Sequence, residues 1–406
     1  MTKVCIAGKN SIAVNVLEYI LKNKLYQKNE IVVICNKTES GRNTWQKSLR
    51  YFARRYGIRE VSLNDIYDIP EILFLSLEFD AIIRPSNFKT KNLYNIHFSA
   101  LPQYKGMYTS ALPLINNEKE VGVTFHHIDS GIDTGDIVDQ YIFPVEYDDT
   151  SRDLYRKFVL HGTRLACKVL RRMQVEGLWL PGERQRAELS SYYSRKTIDY
   201  QNLKIDLNQT AISIRNQIRA FHFREYQIPI IFGKKITAAK ILNLASTQKP
   251  GKILWQDEQQ ILISTIDYDI VLYIDKYDEI MQAAEDNDIK KYRQVINPSL
   301  YVNEQGKNGW TPLMVAAYSG NYDMAMALIV DGADINIVNW NGTNLLMYAK
   351  DGWLKNGDAR LFEYLIEKGM SLNTIDYKGA SLRDYCLKSQ IEKIGDILVT
   401  KGMSLA

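Results

Sequence analysis

Apolar residues in the first third of the chain occur both as short unbroken runs and at helical spacing. Residues 4–7, 31–35 and 81–83 are apolar runs of strand length, whereas 12–21 and 44–56 repeat their apolar positions three and four apart. Runs of the first kind suit strands buried on both faces, and spacing of the second kind suits one face of a helix. The alternation predicts a mostly parallel sheet covered by helices, with ligands bound beyond the carboxyl ends of its strands. Residues 121–128 and 137–143 predict two further strands joined by a Gly/Asp-rich bend, and 151–175 a long helix. The pattern breaks near 178–182. A helix at 212–221 and short strands at 228–232, 252–255, 261–264 and 270–273 then predict a small antiparallel domain.

The last part repeats itself. Asn308-Gly309-Trp310-Thr311-Pro312-Leu313 returns as Asn341-Gly342-Thr343-Asn344-Leu345-Leu346, with Gly309 and Gly342 33 positions apart. Asp331-Gly332-Ala333-Asp334-Ile335-Asn336 is echoed from Glu367 to Asn373, an interval of 37 that places the extra residues in 351–358. A third unit starts at Tyr377-Lys378-Gly379 and ends at Lys401-Gly402, and a degenerate first unit lies at 280–303. Turn residues and period together resemble ankyrin repeats, helical units that bury their apolar faces by stacking. The expected architecture is α/β: a Rossmann-like catalytic domain at 1–182, a small β-rich domain at 183–275 and an all-α ankyrin repeat array at 276–406.

Composition changes this picture little. The 406 residues are 46% hydrophobic and 24% charged, with a net charge of +4 dispersed among mixed signs, which does not favour nucleic acid as a partner. Cys5, Cys35, Cys167 and Cys386 form no CxxC pair and read as reduced thiols. The start of the chain has no signal-peptide pattern, and no segment approaches the ~20 apolar residues that span a bilayer. A cytoplasmic protein without a membrane partner or a metal site is expected. The first strand ends in Gly8-Lys9-Asn10-Ser11, which lacks the further glycines of a dinucleotide fingerprint and the spacer of a Walker loop. NAD and ATP lose their main support, and a strand-to-helix turn capped by Asn10 or Ser11 is the better reading.

The chemistry concentrates in Asn95-Ile96-His97-Phe98-Ser99-Ala100-Leu101-Pro102 and in Gly122-Val123-Thr124 followed by Asp129-Ser130-Gly131-Ile132-Asp133-Thr134-Gly135. Asn95 and His97, two apart on an extended segment, face the same side. An amide donor, an imidazole and a carboxylate are what acyl transfer to an amine requires. The imidazole takes the amine proton, the amide steadies the carbonyl oxygen, and the carboxylate orients the ring. Asp129 reads as shaping the bend and Asp136 as starting a strand. His126 is a supporting residue, and His127 faces away.

These stretches resemble the folate-dependent formyltransferase family, which includes methionyl-tRNA formyltransferase and the sugar N-formyltransferases. The resemblance covers residues 1–270. It implies a catalytic triad of Asn95, His97 and Asp133, and N10-formyltetrahydrofolate as cofactor, bound by Ile82, Ile83, Arg84, Asp129 and Asp133. The segment from Ile218 to Pro229 is similar to that of enzymes that formylate dTDP-linked amino sugars. That similarity implies substrate contacts from Phe221, Phe223, Arg224 and Tyr226, from Tyr108 and Thr109, and from Arg195 and Lys196. Read without it, the same Phe residues suit the core equally well. The implied substrate is a dTDP-linked 3-amino-3,6-dideoxyhexose of gluco or galacto configuration, formylated for the O-antigen of lipopolysaccharide. A dTDP-4-amino sugar and methionyl-tRNA are the alternatives, and a homodimer is left open. In the ankyrin array Trp310, at the exposed turn of its repeat, is the expected centre of an accessory site for a nucleotide sugar or a protein, with Trp340 and Trp353 flanking other turns.

Overall fold

The computed structural model describes residues 3–387, 391–392 and 394–395, so the predicted repeat end at Lys401-Gly402 lies outside the described residues. The chain divides into two compact units, residues 1–42 with 46–274 and residues 43–45 with 275–406.

In the first unit, β1 (Val4–Gly8), α1 (Asn10–Lys22), β2 (Ile31–Cys35), α2 (Leu49–Tyr56), β3 (Arg59–Glu60), β4 (Leu73–Leu77) and β5 (Leu93–His97) come first. The two-residue β6 (Lys105–Gly106), α3 (Leu112–Ile115), β7 (Glu120–His127), β8 (Ile137–Pro144) and α4 (Ser151–Glu176) follow. The large sheet has the order β3-β2-β1-β4-β5-β7-β8, parallel through β5 and antiparallel for β7 and β8. The chain runs outward from β1 to β3 and then returns to β4 on the other side, which opens a crevice at the carboxyl ends of β1 and β4. β1 and β4 are buried along their whole length, the burial expected of parallel strands covered on both faces. On one face α1, which buries Ile12, Val16 and Ile20, packs with α4. Helix α4 begins in a capping box, Thr150 with Asp153, and buries Leu154, Phe158, Leu165 and Val169.

A second, antiparallel sheet follows β9 (Tyr192–Tyr193) and α5 (Ala211–Phe221). It comprises β10 (Ile230–Ile231), β11 (Lys234–Ala245), β12 (Ile253–Gln256), β13 (Gln260–Ile263) and β14 (Tyr268–Ile274), in the order β10-β11-β14-β13-β12. Ile214 and Ile218 of α5 pack against Ile236, Ile263, Ile270 and Leu272 of this sheet.

Several expectations are corrected. In place of the strand expected at 81–83 the sheet has β4 at 73–77; residues 81–83 have no regular structure, and Ile82 is 75% exposed. The triplet runs into Arg84-Pro85, and Pro85 starts a helical turn. The helix expected at 44–56 begins at Leu49, because the Ser48 hydroxyl accepts the Tyr51 N–H and caps it there. β11 is the longest strand among the described residues, yet its three lysines and three alanines hide it from any propensity reading. Neither Asn10 nor Ser11 caps α1. Asn10 donates to Glu78 and Tyr155, and Ser11 accepts from the Lys47 N–H.

In the second unit, α6 (Tyr277–Asp286) and α7 (Ile289–Gln294), α8 (Pro312–Ser319) and α9 (Tyr322–Val330), and α10 (Leu345–Asn356) and α11 (Arg360–Glu367) are successive helix pairs. Thr311 and Asn344 cap α8 and α10 in the same way, each accepting an N–H three residues on. α10 has 12 residues where α8 has 8, so the longer second repeat is a lengthened first helix. Trp340 N–H donates to the Asn308 carbonyl and Tyr377 N–H to the Asn341 carbonyl, joining each turn to the next. Gly309 is required at such a joint: its φ is +79°, and a Cβ would run into the Trp340 ring.

The expected exposure of the tryptophans is corrected as well. Trp353 is a core residue of the array. Trp340 is half-buried, with an enclosed indole N–H that has no partner among the described residues. Trp310 is half-buried on the core, its ring 5.3 Å from Tyr318 and 4.5 Å from Tyr348.

Candidate active site

The parallel register pairs Ser76 with Asn95 and Leu77 with Ile96, so β5 carries Asn95 and His97 to the carboxyl edge of the sheet. The antiparallel register on its other side sets His126 directly opposite Asn95. The bend between β7 and β8 then returns Asp133 over both residues. Its Oδ2 lies 3.5 Å from His97 Nδ1 and its Oδ1 3.4 Å from Asn95 Nδ2. Asp133 has a φ of +56°, the left-handed conformation that a short polar side chain tolerates. Asp129 shapes the bend, accepting from the Gly131 N–H at 3.0 Å and the Thr134 hydroxyl at 2.6 Å.

Hydrogen bonds define the ring roles. His97 Nε2 lies 2.8 Å from the Tyr104 carbonyl, which accepts only an N–H. That leaves His97 Nδ1 as the basic atom, with Asp133 placed to receive the N–H that forms when it takes a proton. His126 Nδ1 donates to the His127 carbonyl at 2.8 Å, so its Nε2 accepts the Asn95 amide at 3.0 Å. Burial pushes the His126 pKa from 6.5 down to about 4 against the opposing pull of Asp133. The neutral ring is therefore a fixed acceptor that aims Asn95. His127 faces elsewhere, with Nε2 on the Leu180 carbonyl and its ring beside Tyr94 and Trp179.

This depressed pKa has a consequence for stability. The unfolded histidine takes a proton near pH 6.5 while the folded one resists until about 4, so the unfolded state binds more protons in that window. Stability is expected to fall as pH drops from 6.5 toward 4, with no further loss from this residue below that. Thermal melts of the wild type and His126→Gln across this range check it, since the variant should lose this part of the slope.

The segment after β5 is sutured to a distant stretch. Lys105 and Met107 N–H groups donate to the Ser191 and Tyr193 carbonyls, and the Tyr104 N–H to the Ser191 hydroxyl. Between them the Gly106 N–H donates to Asp133 Oδ2 at 2.9 Å. Gly106 has φ +85°, and a Cβ there would collide with the Tyr193 carbonyl, so only glycine permits this contact. The Tyr108 hydroxyl donates to the Arg195 carbonyl at 2.7 Å, bringing two of the expected substrate stretches together. The Tyr108 ring faces Tyr200, which meets Phe221 edge-on.

The remaining expected residues are placed as follows. Arg195 and Lys196 are exposed, and Thr109 is half-buried. Phe221 and Phe223 are buried, as the core reading of that segment has it, while Tyr226 is 68% exposed with its ring 4.9 Å from Phe223. Arg224 is half-buried beside them. Near the folate stretch, Ile83 is a core side chain, whereas Ile82 and Arg84 are exposed.

Sequence reasoning missed Tyr155 and Glu78. The Tyr155 ring packs edge-on against Phe98 and Phe223, and its hydroxyl donates to Glu78. Burial raises the Glu78 pKa, and the bonds from Tyr155 and Asn10 oppose it. Nothing local marks either residue; they meet because Tyr155, near the start of α4, reaches Asn10 after β1 and Glu78 after β4. Among the described residues no cluster of His, Cys, Asp and Glu could hold a metal ion, and no helix is long and apolar enough to cross a membrane.

The chain is similar to known proteins over most of its length. Residues 83–170 match the formyl transferase family, 197–284 the formyl transferase C-terminal domain, and 280–376 ankyrin repeats in three copies. WlaRD, a sugar 3N-formyl transferase solved in the presence of dTDP and 5-N-formyl-THF, is 46% identical, with a TM-score of 0.63 over 68% of this chain and 98% of its own. An N-formyltransferase from Helicobacter canadensis, in complex with folinic acid and dTDP-3-aminofucose, is 44% identical over 68% of this chain and all of its own, with a TM-score of 0.62. The methionyl-tRNA formyltransferase of Fervidobacterium nodosum is 27% identical over 231 residues, 54% of this chain and 71% of its own. With identity at that level across whole solved relatives, and with amide, imidazole and carboxylate assembled at one strand end, the chain belongs to the N-formyltransferase family and carries ankyrin repeats toward its C-terminal end.

Proposed function

We propose that the protein transfers the formyl group of N10-formyltetrahydrofolate to the amine of a dTDP-linked 3-amino-3,6-dideoxyhexose of gluco or galacto configuration. The observation that carries this reading is the identity of 44–46% to two sugar-directed relatives that extends over nearly their whole length. The folate fits the residues present: exposed Ile82 offers an apolar surface for its rings, Arg84 a cation for its acidic tail, and the Asp129–Asp133 bend polar groups for its edge. When bound, the folate supplies an electrophilic formyl carbon.

The protein's part is positioning and proton transfer. His97 Nδ1 accepts the proton that the attacking amine loses, Asp133 holds the resulting imidazolium, and the same Nδ1–H is then the proton available to the nitrogen that gives up the formyl group. The 3.4 Å Asn95–Asp133 contact is long, so that amide N–H is able to turn toward a formyl oxygen while His126 keeps the other. In this reading Tyr108, Thr109, Arg195, Lys196, Arg224 and Tyr226 hold the nucleotide sugar, the tyrosines by stacking and the cations by pairing with the diphosphate, while the buried Phe221 and Phe223 back Tyr200 and Tyr226 from the core.

The test is a mass-spectrometric assay with N10-formyltetrahydrofolate and a panel of dTDP-amino sugars containing both 3-amino epimers and a 4-amino sugar. One formyl group gained on a 3-amino member supports the reading. A product only on the 4-amino sugar, or only on methionyl-tRNA, replaces it. Further parts of the reading are a cytoplasmic enzyme, a homodimer, and a product used for lipopolysaccharide O-antigen. Deleting the gene should remove the N-formyl sugar from the polysaccharide.

For the ankyrin array we propose an accessory site centred on Trp310. Trp310, Asn308, Asn341, Lys350, Asp351 and Tyr385 line an open cavity of about 580 Å³. An aromatic face with nearby polar groups suits a nucleotide sugar, and a protein segment is the other candidate. Trp310→Ala is expected to weaken equilibrium binding of the dTDP-sugar at a second site; unchanged binding and kinetics would dispose of the site.

A further inference from the structure

We infer that Gln185, from the segment that joins the two sheets, is a positioning residue for the catalytic carboxylate. Its side-chain amide Nε2 donates to the carbonyl of Asp133 itself at 2.9 Å and to that of Gly135 at 2.8 Å. Both hydrogens of the amide are thereby spent on the one bend that carries Asp133 in a left-handed conformation. The backbone beside it is clamped as well: Glu183 and Ile137 exchange N–H···O bonds at 2.7 and 2.8 Å, fixing the segment to the start of β8.

A left-handed aspartate over a strand end has a conformational cost, and it persists only where its surroundings hold it. Two holds are visible. The Gly106 N–H fixes the carboxylate end at 2.9 Å, and Gln185 fixes the backbone end. The strap of residues 183–193 supplies Gln185 directly and supports Gly106 from behind, since Gly106 pairs with Tyr193 and its neighbour Lys105 donates to the Ser191 carbonyl. Gln185 thus acts on Asp133 through geometry alone and touches no reacting atom. Its Oε1 is enclosed and has no partner among the described residues, so the residue is kept there by its donors alone.

The inference rests on the reading of Asp133 as the catalytic carboxylate. Gln185→Met and Gln185→Glu both preserve side-chain length. The first removes both donors, and the second sets an anion against two carbonyl oxygens. The expected order of kcat is wild type, then Q185M lower by roughly tenfold to a hundredfold, then Q185E lower still. The KM for the amino sugar should change little.

A double-mutant cycle gives the second arm. In an Asp133→Asn background the Q185M substitution should cost much less, because a residue acting through Asp133 loses its effect once that carboxylate is gone. Equal kcat for Q185M and wild type in folded protein, or fully additive losses in the cycle, would overturn the role of Gln185 while leaving Asp133 in place. A wild-type rate in D133N alone would overturn both together.

Discussion

His97→Ala is expected to lower kcat by about 100- to 10,000-fold, the usual contribution of a positioned general base, with a smaller effect on folding. The ring is buried at the carboxyl end of β5 and makes one strong bond, from Nε2 to the Tyr104 carbonyl, so its loss lowers the melting temperature somewhat without unfolding the protein. What disappears is the Nδ1 lone pair 3.5 Å from Asp133. The measurement is turnover at saturating donor and acceptor, accompanied by binding isotherms for each. Binding should persist, because the substrate contacts lie on other segments. A loss below tenfold would show that the proton leaves by another route. His97→Ala and Asp133→Asn together should cost little more than His97→Ala alone, since the carboxylate serves the reaction through that ring.

The second large effect is on stability. Arg152, in the first turn of α4, is 2% exposed and meets Glu225, 4% exposed, at 2.6 Å. Glu225 lies between Arg224 and Tyr226, and its other oxygen is enclosed without a partner among the described residues. Arg152→Leu therefore leaves a buried carboxylate without its main cation, a change that typically costs about 3–5 kcal/mol. A drop of about 10 °C in melting temperature is expected for a unit of this size. The KM for the amino sugar should rise too, because the pair fixes the segment that carries the proposed nucleotide contacts. Replacing both partners by apolar residues of similar volume should recover most of the stability but not the KM. A single variant as stable as wild type would show that the carboxylate is protonated or hydrated in place.

The two results draw on different kinds of information. Asn95 and His97 were readable together because they are two apart on a strand, and the period of a strand puts such residues on one face whatever surrounds it. The ankyrin turns were readable for the same local reason, with Gly309 and Gly342 each meeting its own turn's need for positive φ. The sequence pattern points to 81–83 as a strand although the run of β4, Leu73-Phe74-Leu75-Ser76-Leu77, is the more apolar. A buried strand and a nearby apolar triplet look alike until the ladder partner is known.

By itself, then, the sequence determined the alternation of strands and helices, the repeat period, and the residue types that the chemistry needs. Each of these follows from interactions within a few positions. Tertiary structure decided which of those residues meet. Asp133 reaches His97 only through the β5–β7 register, and Gln185 reaches Asp133 across some fifty positions of chain. Tyr155, near the start of α4, finds Glu78 just after β4 across more than seventy positions of chain. No local pattern encodes such meetings, because they are set by how the strands are ordered in the sheet and by the close packing that this order forces on distant segments.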